Sequence, residues 1–383
     1  MMSNLKPKKI TYKCRKCKKN YNSNFQLKCD SCGGVITPID NLKEYKIYDS
    51  EFDIERYWDF MPLERPEERL PFGNLRSPLI HSIKIGQMFD LNNLFLKDET
   101  KNNTKSTKDR MAVASLNFMK EKKVQDFVVT STGNSTSAFG YLLGEIETEK
   151  MYPFRMHCII PKLFKQRHRN LNSENILTYE VENDFFNASK KAKDIANENG
   201  FIYEGGFFNC ARRAGLSMAF LEAWEQLKYD FSFYFQAVSS GMGMFGVYEA
   251  TLKLYKLGYI RKLPKLICVQ QESCSPMVNA FKDGSCVILD KHKVNNPHGL
   301  AKAILRGDPS DSYPYLYEAI KHTNGSFVSV SDGEIEEALL LLRNIENIKA
   351  TYDGAVALAG AIKYFNGYNL EDKQEPALIN ITG

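Results

Sequence analysis

Three short segments place reactive or binding residues at spacings that suit chemistry, and a fourth suits a metal ion. Residues 96–110 read L-K-D-E-T-K-N-N-T-K-S-T-K-D-R, a strand end and a polar loop followed by Lys108 at the start of a helix. The electropositive end of a helix lowers the pKa of a nearby amine and favours the neutral nucleophile that Schiff-base chemistry needs. By itself this placement is weak evidence, because most lysines at helix starts are solvated surface groups. Residues 128–137, V-V-T-S-T-G-N-S-T-S, run from a strand into a hydroxyl-rich loop and then a helix. Backbone N–H groups and hydroxyls in such a loop can hold a carboxylate. Residues 235–246, F-Q-A-V-S-S-G-M-G-M-F-G, are again strand, glycine-rich turn and helix, which cradles a phosphate on N–H groups and the helix dipole, although tight packing alone can also require such glycines. Cys14, Cys17, Cys29 and Cys32 form two C-x2-C knuckles around an eleven-residue insert, the spacing of a zinc ribbon with four thiolates on one tetrahedral ion.

These segments need elements to position them. Short β-branched or aromatic runs at 127–130, 156–160, 231–238, 266–270, 327–330 and 377–382 predict strands. Helical patterns at 108–123, 136–145, 187–199, 215–229, 332–344 and 354–366 lie between them, several opened by Asp, Thr or Ser caps. This alternation is that of α/β sheets. The stretch 40–70, acidic and aromatic with Pro62 and Pro66, predicts a wrapping segment between ribbon and sheets. The ribbon is too small to build its own core and depends on its metal to fold. It reads as a structural appendage, with nucleic-acid binding through its lysines and arginines as the alternative.

A chain of 383 residues with 43% apolar residues is long enough for two or three domains. Its 51 basic against 46 acidic residues give a net charge of +5, too small an excess to argue for nucleic acid or a membrane surface but compatible with a small anionic substrate. No apolar run approaches the roughly 20 residues of a membrane helix, so a soluble cytoplasmic protein is expected. Cys158, Cys210, Cys268, Cys274 and Cys286 are scattered and read as reduced packing residues. The six histidines, His81, His157, His168, His292, His298 and His322, have no ligand spacing and read as structural or solvated; the basic run 162–169 reads as a solvated face or a guide for an anion.

In this order the three segments resemble the fold-type II pyridoxal-phosphate enzymes, most closely the threonine synthase branch. The family motif N-P-T-G-S-F-K-D-R is matched by Asn102, Thr104, Ser106, Lys108, Asp109 and Arg110. The resemblance implies that Lys108 is the Schiff-base lysine and moves protons on the substrate. It implies that Asn134 contacts the cofactor's ring hydroxyl, and that Gly241, Met242, Gly243, Met244 and Phe245 bind its phosphate. Lys105, Ser106, Ser131, Thr132, Gly133 and Ser135 are expected around the substrate. The terminal I-T-G resembles the family's strand-end threonine, so Thr382 is expected to face the pyridine nitrogen with a neutral hydroxyl, which disfavours transamination and leaves elimination and replacement open. Gln271 to Pro276, Gly307 to Pro309, Val330 to Asp332 and Gly354 to Ala357 also match. The implied fold is the two-domain tryptophan synthase β-like α/β architecture with an N-terminal zinc ribbon: ribbon 1–42, large cofactor-binding domain 43–85 and 206–383, small mobile domain 86–205. A homodimer is implied in the same way.

The chain departs from threonine synthase near the lysine, where Asn103, Lys105 and Thr107 stand for proline, glycine and phenylalanine, and in the element N-x-x-R-x-E-G-x-K-T. There Asn209, Arg212 and Gly215 match but Ala214 and Ser217 replace the charged pair. The expected reaction is O-phosphohomoserine and water to threonine and phosphate. The alternatives are β-replacement on O-phosphoserine or another activated serine, giving cysteate, cysteine or a diamino acid, and a silent paralogue serving as a binding scaffold. Lys105 suits a donor to a phosphate or sulfonate, or a plain surface lysine.

Overall fold

Runs of Val, Ile, Leu and Phe bounded by polar turns become parallel strands buried on both faces. A computed structural model describes residues 5–22, 25–70, 73, 76–145, 151–182, 185–227, 230–367 and 373–383. They pack as two units, one comprising 1–75 and 108–218, the other 76–107 and 219–383.

The second unit is built on a six-stranded sheet in the order Ser326–Val330, Lys265–Gln271, Phe233–Ala237, Ala377–Ile381, Leu94–Asp98, Leu79–His81. All neighbours are parallel except the last pair. Alternate residues Leu94, Leu96, Phe233, Phe235, Ile267, Val269, Ile379 and Ile381 form one apolar core with the helix Tyr352–Phe365. Each such side chain contributes about 1.5–3 kcal/mol on burial. By the two-residue period the opposite face receives Lys97, Gln236 and Asn380, all buried, with Lys97 and Asn380 paired across neighbouring strands. The helix Asp332–Asn344 begins with a capping box, in which Ser331 Oγ accepts from the Glu334 N–H and Glu334 Oε2 from the Ser331 N–H.

The first unit carries a four-stranded parallel sheet in the order Ile176–Val181, Arg155–Pro161, Asp126–Thr130, Ile202–Tyr203. Val128 and Ile159 pack on Ala188, Ala192, Ile195 and Ala196 of the helix Phe185–Asn199. The helix Lys108–Glu121 is buried on nearly every side through Met111, Val113, Leu116, Phe118 and Met119, the pattern of a core helix. Gly215 lets the helix Cys210–Leu227 approach it, because a Cβ there would lie 2.4 Å from the Arg110 carbonyl oxygen.

Three antiparallel strands, Ile10–Cys14, Asn20–Tyr21 and Ile36–Asp40, form the N-terminal ribbon. Tyr12 and Phe25 lie 6.5 and 5.5 Å from the Phe118 ring, so the ribbon packs against the helix that Lys108 opens. The wrapping segment buries Ile54, Tyr57, Trp58, Met61 and Leu63.

Unit boundaries fall elsewhere than the expected 85/86 and 205/206. The strand Leu94–Asp98 pairs inside the six-stranded sheet, and residues 43–75 belong with the first unit. The helix expected at 215–229 begins at Cys210; its expected last residues, 228–229, lie outside the described residues.

Candidate active site

Three neighbouring parallel strands of the six-stranded sheet end on the same edge and deliver the candidate groups of the second unit. Ligand sites in parallel sheets form at such carboxyl ends. Phe233–Ala237 leads to Gly241, Ala377–Ile381 ends in Thr382, and Leu94–Asp98 leads into the loop before Lys108.

Gly241 has φ 73° and precedes the helix Met242–Lys256, whose first turn has no side-chain cap. A Cβ on Gly241 would lie 2.0 Å from Leu316 Cδ1, and one on Gly243 would lie 2.5 Å from Gln236 Nε2. The turn therefore offers bare N–H groups on a left-handed entry, the arrangement that fits a phosphate. Met242, Met244 and Phe245 are buried, so they would contribute backbone and packing rather than polar side chains.

The lysine loop is pinned from both ends. Asn102 Nδ2 donates to Glu99 Oε2 at 3.0 Å and to the Ser106 carbonyl at 3.1 Å, while the Lys105 N–H donates to the Asn102 carbonyl at 2.8 Å. Lys105 is exposed and holds φ 62°, the left-handed region where the family motif has glycine. The Thr107 N–H donates to Thr382 Oγ1 at 3.2 Å, and Ser106 Oγ lies 3.4 Å from the same hydroxyl. Thr382 Oγ1, a neutral hydroxyl, therefore braces the two residues before Lys108. Thr107 Oγ1 is buried and has no partner among the described residues, which fits a polar group bound beside Lys108. Gly354 and Gly383 make room: Cβ atoms there would lie 2.0 Å from the carbonyl oxygens of Thr382 and Lys105.

In the first unit, half-buried Lys108 opens its helix directly after Thr107. The strand Asp126–Thr130 leads into 131–135, where Gly133 has φ 123° and Asn134 begins the helix Asn134–Glu145. Ser131 Oγ accepts from the Gly133 N–H at 3.0 Å and the Thr136 N–H at 3.3 Å, so this hydroxyl shapes its own loop. Thr132, Ser135 and the loop amides supply the remaining polar groups.

Residues from the neighbouring strand's end, absent from the expected site residues and known from sequence only as part of the basic run 162–169, complete this region. Arg167 Nε donates to the Thr132 carbonyl at 3.0 Å, and His168 Nδ1 lies 2.8 Å from Thr136 Oγ1. The one available signal is that the basic run 162–169 follows a parallel strand's carboxyl end. The His168 imidazole is held down to about 4 from 6.5, first by burial and then by the Arg167 charge, with a smaller opposing effect from the Ser131 backbone. An unfolded chain takes up this proton near 6.5 and the folded one only near 4, so stability is present above that window and lost as pH falls through it. Urea denaturation at pH 7 and pH 5 is expected to show a lower midpoint at pH 5, and His168→Asn to flatten that difference.

The four ribbon cysteines bring their sulfur atoms within 4.8 Å of one another, with Cys14 to Cys32 at 3.5 Å and Cys17 to Cys29 at 3.4 Å. Sulfurs on a tetrahedral zinc at about 2.3 Å stand roughly 3.8 Å apart, so the donor set fits that ion. Gly34 leaves the space clear, since a Cβ there would lie 2.8 Å from Cys14 Sγ. Among the described residues no helix is long and apolar enough to cross a membrane.

The chain is 27% identical to the cysteate synthase of Methanosarcina mazei, with 98% of this chain and 92% of that protein covered. It is 25% identical to the threonine synthase of Methanocaldococcus jannaschii, with 97% and 91% covered. Among solved structures, maize serine racemase matches with a TM-score of 0.66 at 16% identity, covering 80% of this chain and 87% of that one. Tomato (Solanum lycopersicum) threonine deaminase isoform 2 matches at 0.64 and 19% identity, covering 80% and 83%. These structures share the fold, and the family model for pyridoxal-phosphate dependent enzymes matches residues 70–383, from before the lysine loop to the last residue. With the lysine, the glycine turn and the strand-end threonine all inside that span, the chain belongs to the pyridoxal-phosphate dependent enzyme family.

Proposed function

We propose that this chain catalyses replacement at the β carbon of a serine activated by an anionic leaving group, with O-phospho-L-serine and sulfite as substrates and cysteate and phosphate as products. The observation that carries this reading is the near full-length similarity to cysteate synthases, 27% for both the Methanosarcina mazei and Methanosarcina acetivorans proteins. Residues 241–245 would hold the cofactor phosphate, Asn134 its ring hydroxyl and Thr382 its ring nitrogen, with Lys108 as covalent anchor. Bound pyridoxal phosphate supplies an electron sink that acidifies the α C–H of an attached amino acid. Lys108 Nζ would take the proton from the substrate Cα and return it there, while phosphate departs with the broken β C–O bond and sulfite supplies the new C–S bond. Thr132, Ser135 and the amides of 131–135 hold the substrate carboxylate.

Lys105 supports an anionic nucleophile or leaving group. A lysine at φ 62° costs about 1 kcal/mol of backbone strain that glycine would avoid, so its charge is the feature retained. Lys105→Gly is expected to raise stability by about 1 kcal/mol while lowering kcat/KM for sulfite about tenfold, as read by denaturation and initial rates.

The deciding experiment measures phosphate release and amino-acid product from O-phospho-L-serine with sulfite, sulfide or an amine, beside O-phosphohomoserine alone. Cysteate formed only with sulfite supports the proposal. Threonine from O-phosphohomoserine without added nucleophile would replace it with the threonine synthase reaction, the second reading, favoured by the Methanocaldococcus jannaschii relative.

We also propose structural zinc on Cys14, Cys17, Cys29 and Cys32. Metal analysis is expected to give about one zinc per chain. Cys29→Ser is expected to lose the metal and lower the thermal midpoint, because the ribbon has no core of its own and braces Phe118.

A further inference from the structure

We infer that His168 is the positioning residue for the loop 131–135, holding it in the shape that receives an amino acid's carboxylate; the inference rests on the reading of that loop given above. Four polar atoms meet here. Thr136 Oγ1 lies 2.8 Å from the Gly133 carbonyl oxygen, 3.1 Å from Ser131 Oγ and 2.8 Å from His168 Nδ1. A carbonyl can only accept, so the arrangement that satisfies all of them sends the Thr136 proton to Gly133. Thr136 Oγ1 then accepts from the Ser131 hydroxyl and from a protonated Nδ1. Ser131 Oγ, giving one proton and accepting two backbone N–H groups, has no capacity left for a ligand. Its contribution is the loop's shape, and His168 completes the hydrogen bonding that fixes it.

The segment carrying His168 is itself fixed. Arg167 Nε reaches the Thr132 carbonyl, the Arg169 N–H donates to Ser137 Oγ at 2.9 Å, and Asn170 Nδ2 to the Ser137 carbonyl at 3.4 Å. Two glycines admit this contact: Cβ atoms on Gly133 and Gly140 would lie 2.7 Å from the Arg167 carbonyl oxygen and 2.2 Å from that of Asn170. With the strand-end segment clamped, the imidazole presents Nδ1 to Thr136 from a rigid base. His168 Nε2 is buried and has no partner among the described residues, as expected of a neutral ring whose proton sits on Nδ1.

The test titrates the cofactor-loaded enzyme with O-phospho-L-serine, L-cysteate and L-serine, and with phosphoethanolamine, which keeps amine and phosphate but lacks the carboxylate. Binding is followed by the change in cofactor absorbance. His168→Ala is expected to weaken the carboxylate-bearing ligands about tenfold and phosphoethanolamine less than about twofold. Turnover at saturation should fall less than about threefold, and His168→Asn, which retains a donor, should recover most of the loss. Thr136→Val should match His168→Ala, and the double variant should be no worse than either. Thr136→Val alone carries the same comparison if His168→Ala fails to fold. Equal weakening with and without the carboxylate, unchanged binding, or additive effects would overturn the inference. A wild-type protein that binds L-serine but ignores O-phospho-L-serine and cysteate would sink the proposed substrates while leaving His168 fully tested on L-serine.

Discussion

Lys108→Ala is expected to leave a folded protein that no longer shows the long-wavelength absorbance of lysine-bound cofactor and turns over at least about a thousandfold more slowly. The fold is expected to survive because Lys108 is the half-buried first residue of a helix held through Met111, Val113, Leu116, Phe118 and Met119. Alanine has the highest helix propensity, so the substitution adds no local cost. The chemistry is not expected to survive, because in the proposed function Lys108 is both the covalent anchor and the group that moves the Cα proton. Lys108→Arg is equally inactive: a guanidinium keeps the charge but is neither a nucleophile nor a base at neutral pH. The glycine turn and Thr382, proposed to hold the cofactor, are untouched, so added cofactor is expected to bind still, weakly and without the covalent band. Absorbance spectra, denaturation midpoints and initial rates of the three proteins check this together. A variant that kept the band would place the Schiff base on another lysine.

The parts of this site that sequence exposes are those whose chemistry forces a residue type locally. A lysine at a helix start, glycines where a left-handed entry must leave N–H groups bare, and four paired cysteines need nothing from elsewhere in the chain to be noticed. The strands 155–161, 265–271 and 377–381 were legible for a similar reason: a parallel strand covered on both faces is an apolar run. The strand Ile176–Val181 escaped because its residues are mostly exposed and alternate without a continuous apolar run. His168 escaped for a deeper reason. Its meaning depends on Thr136, 32 positions away, and on the pairing of two strands that brings both loops to one edge. The unit boundaries are likewise set by pairing, which puts Leu94–Asp98 beside Ala377–Ile381, and no local pattern near residue 86 announces that.

Pairing also explains why a residue of the helix Cys210–Leu227 should matter to the lysine loop. Glu222→Ala is expected to destabilise the protein by about 3 kcal/mol. Lys97, 1% exposed, pairs with Glu222, 4% exposed, at 3.2 Å, and also donates to the Ser77 carbonyl at 2.6 Å. Removing this carboxylate leaves the ammonium in a site from which water is excluded, and that exceeds any loss from methylene packing. Glu222→Gln, isosteric but uncharged, should fall between, and joint replacement by Lys97→Met and Glu222→Leu should recover much of the stability, since a packed apolar pair needs no desolvation of charge. Activity should not follow stability. The Ser77 N–H donates to Glu222 Oε1 at 3.2 Å and its hydroxyl to Glu99 Oε1 at 2.6 Å. Glu99 in turn holds Asn102, which ties down the Ser106 carbonyl two residues before Lys108. The apolar double variant restores the packing but not the acceptor for Ser77, so its kcat/KM should stay about tenfold low even where its urea midpoint approaches the wild-type value. Full recovery of both would make the buried pair a stability element alone, with Asn102 and Thr382 supporting the lysine loop without it.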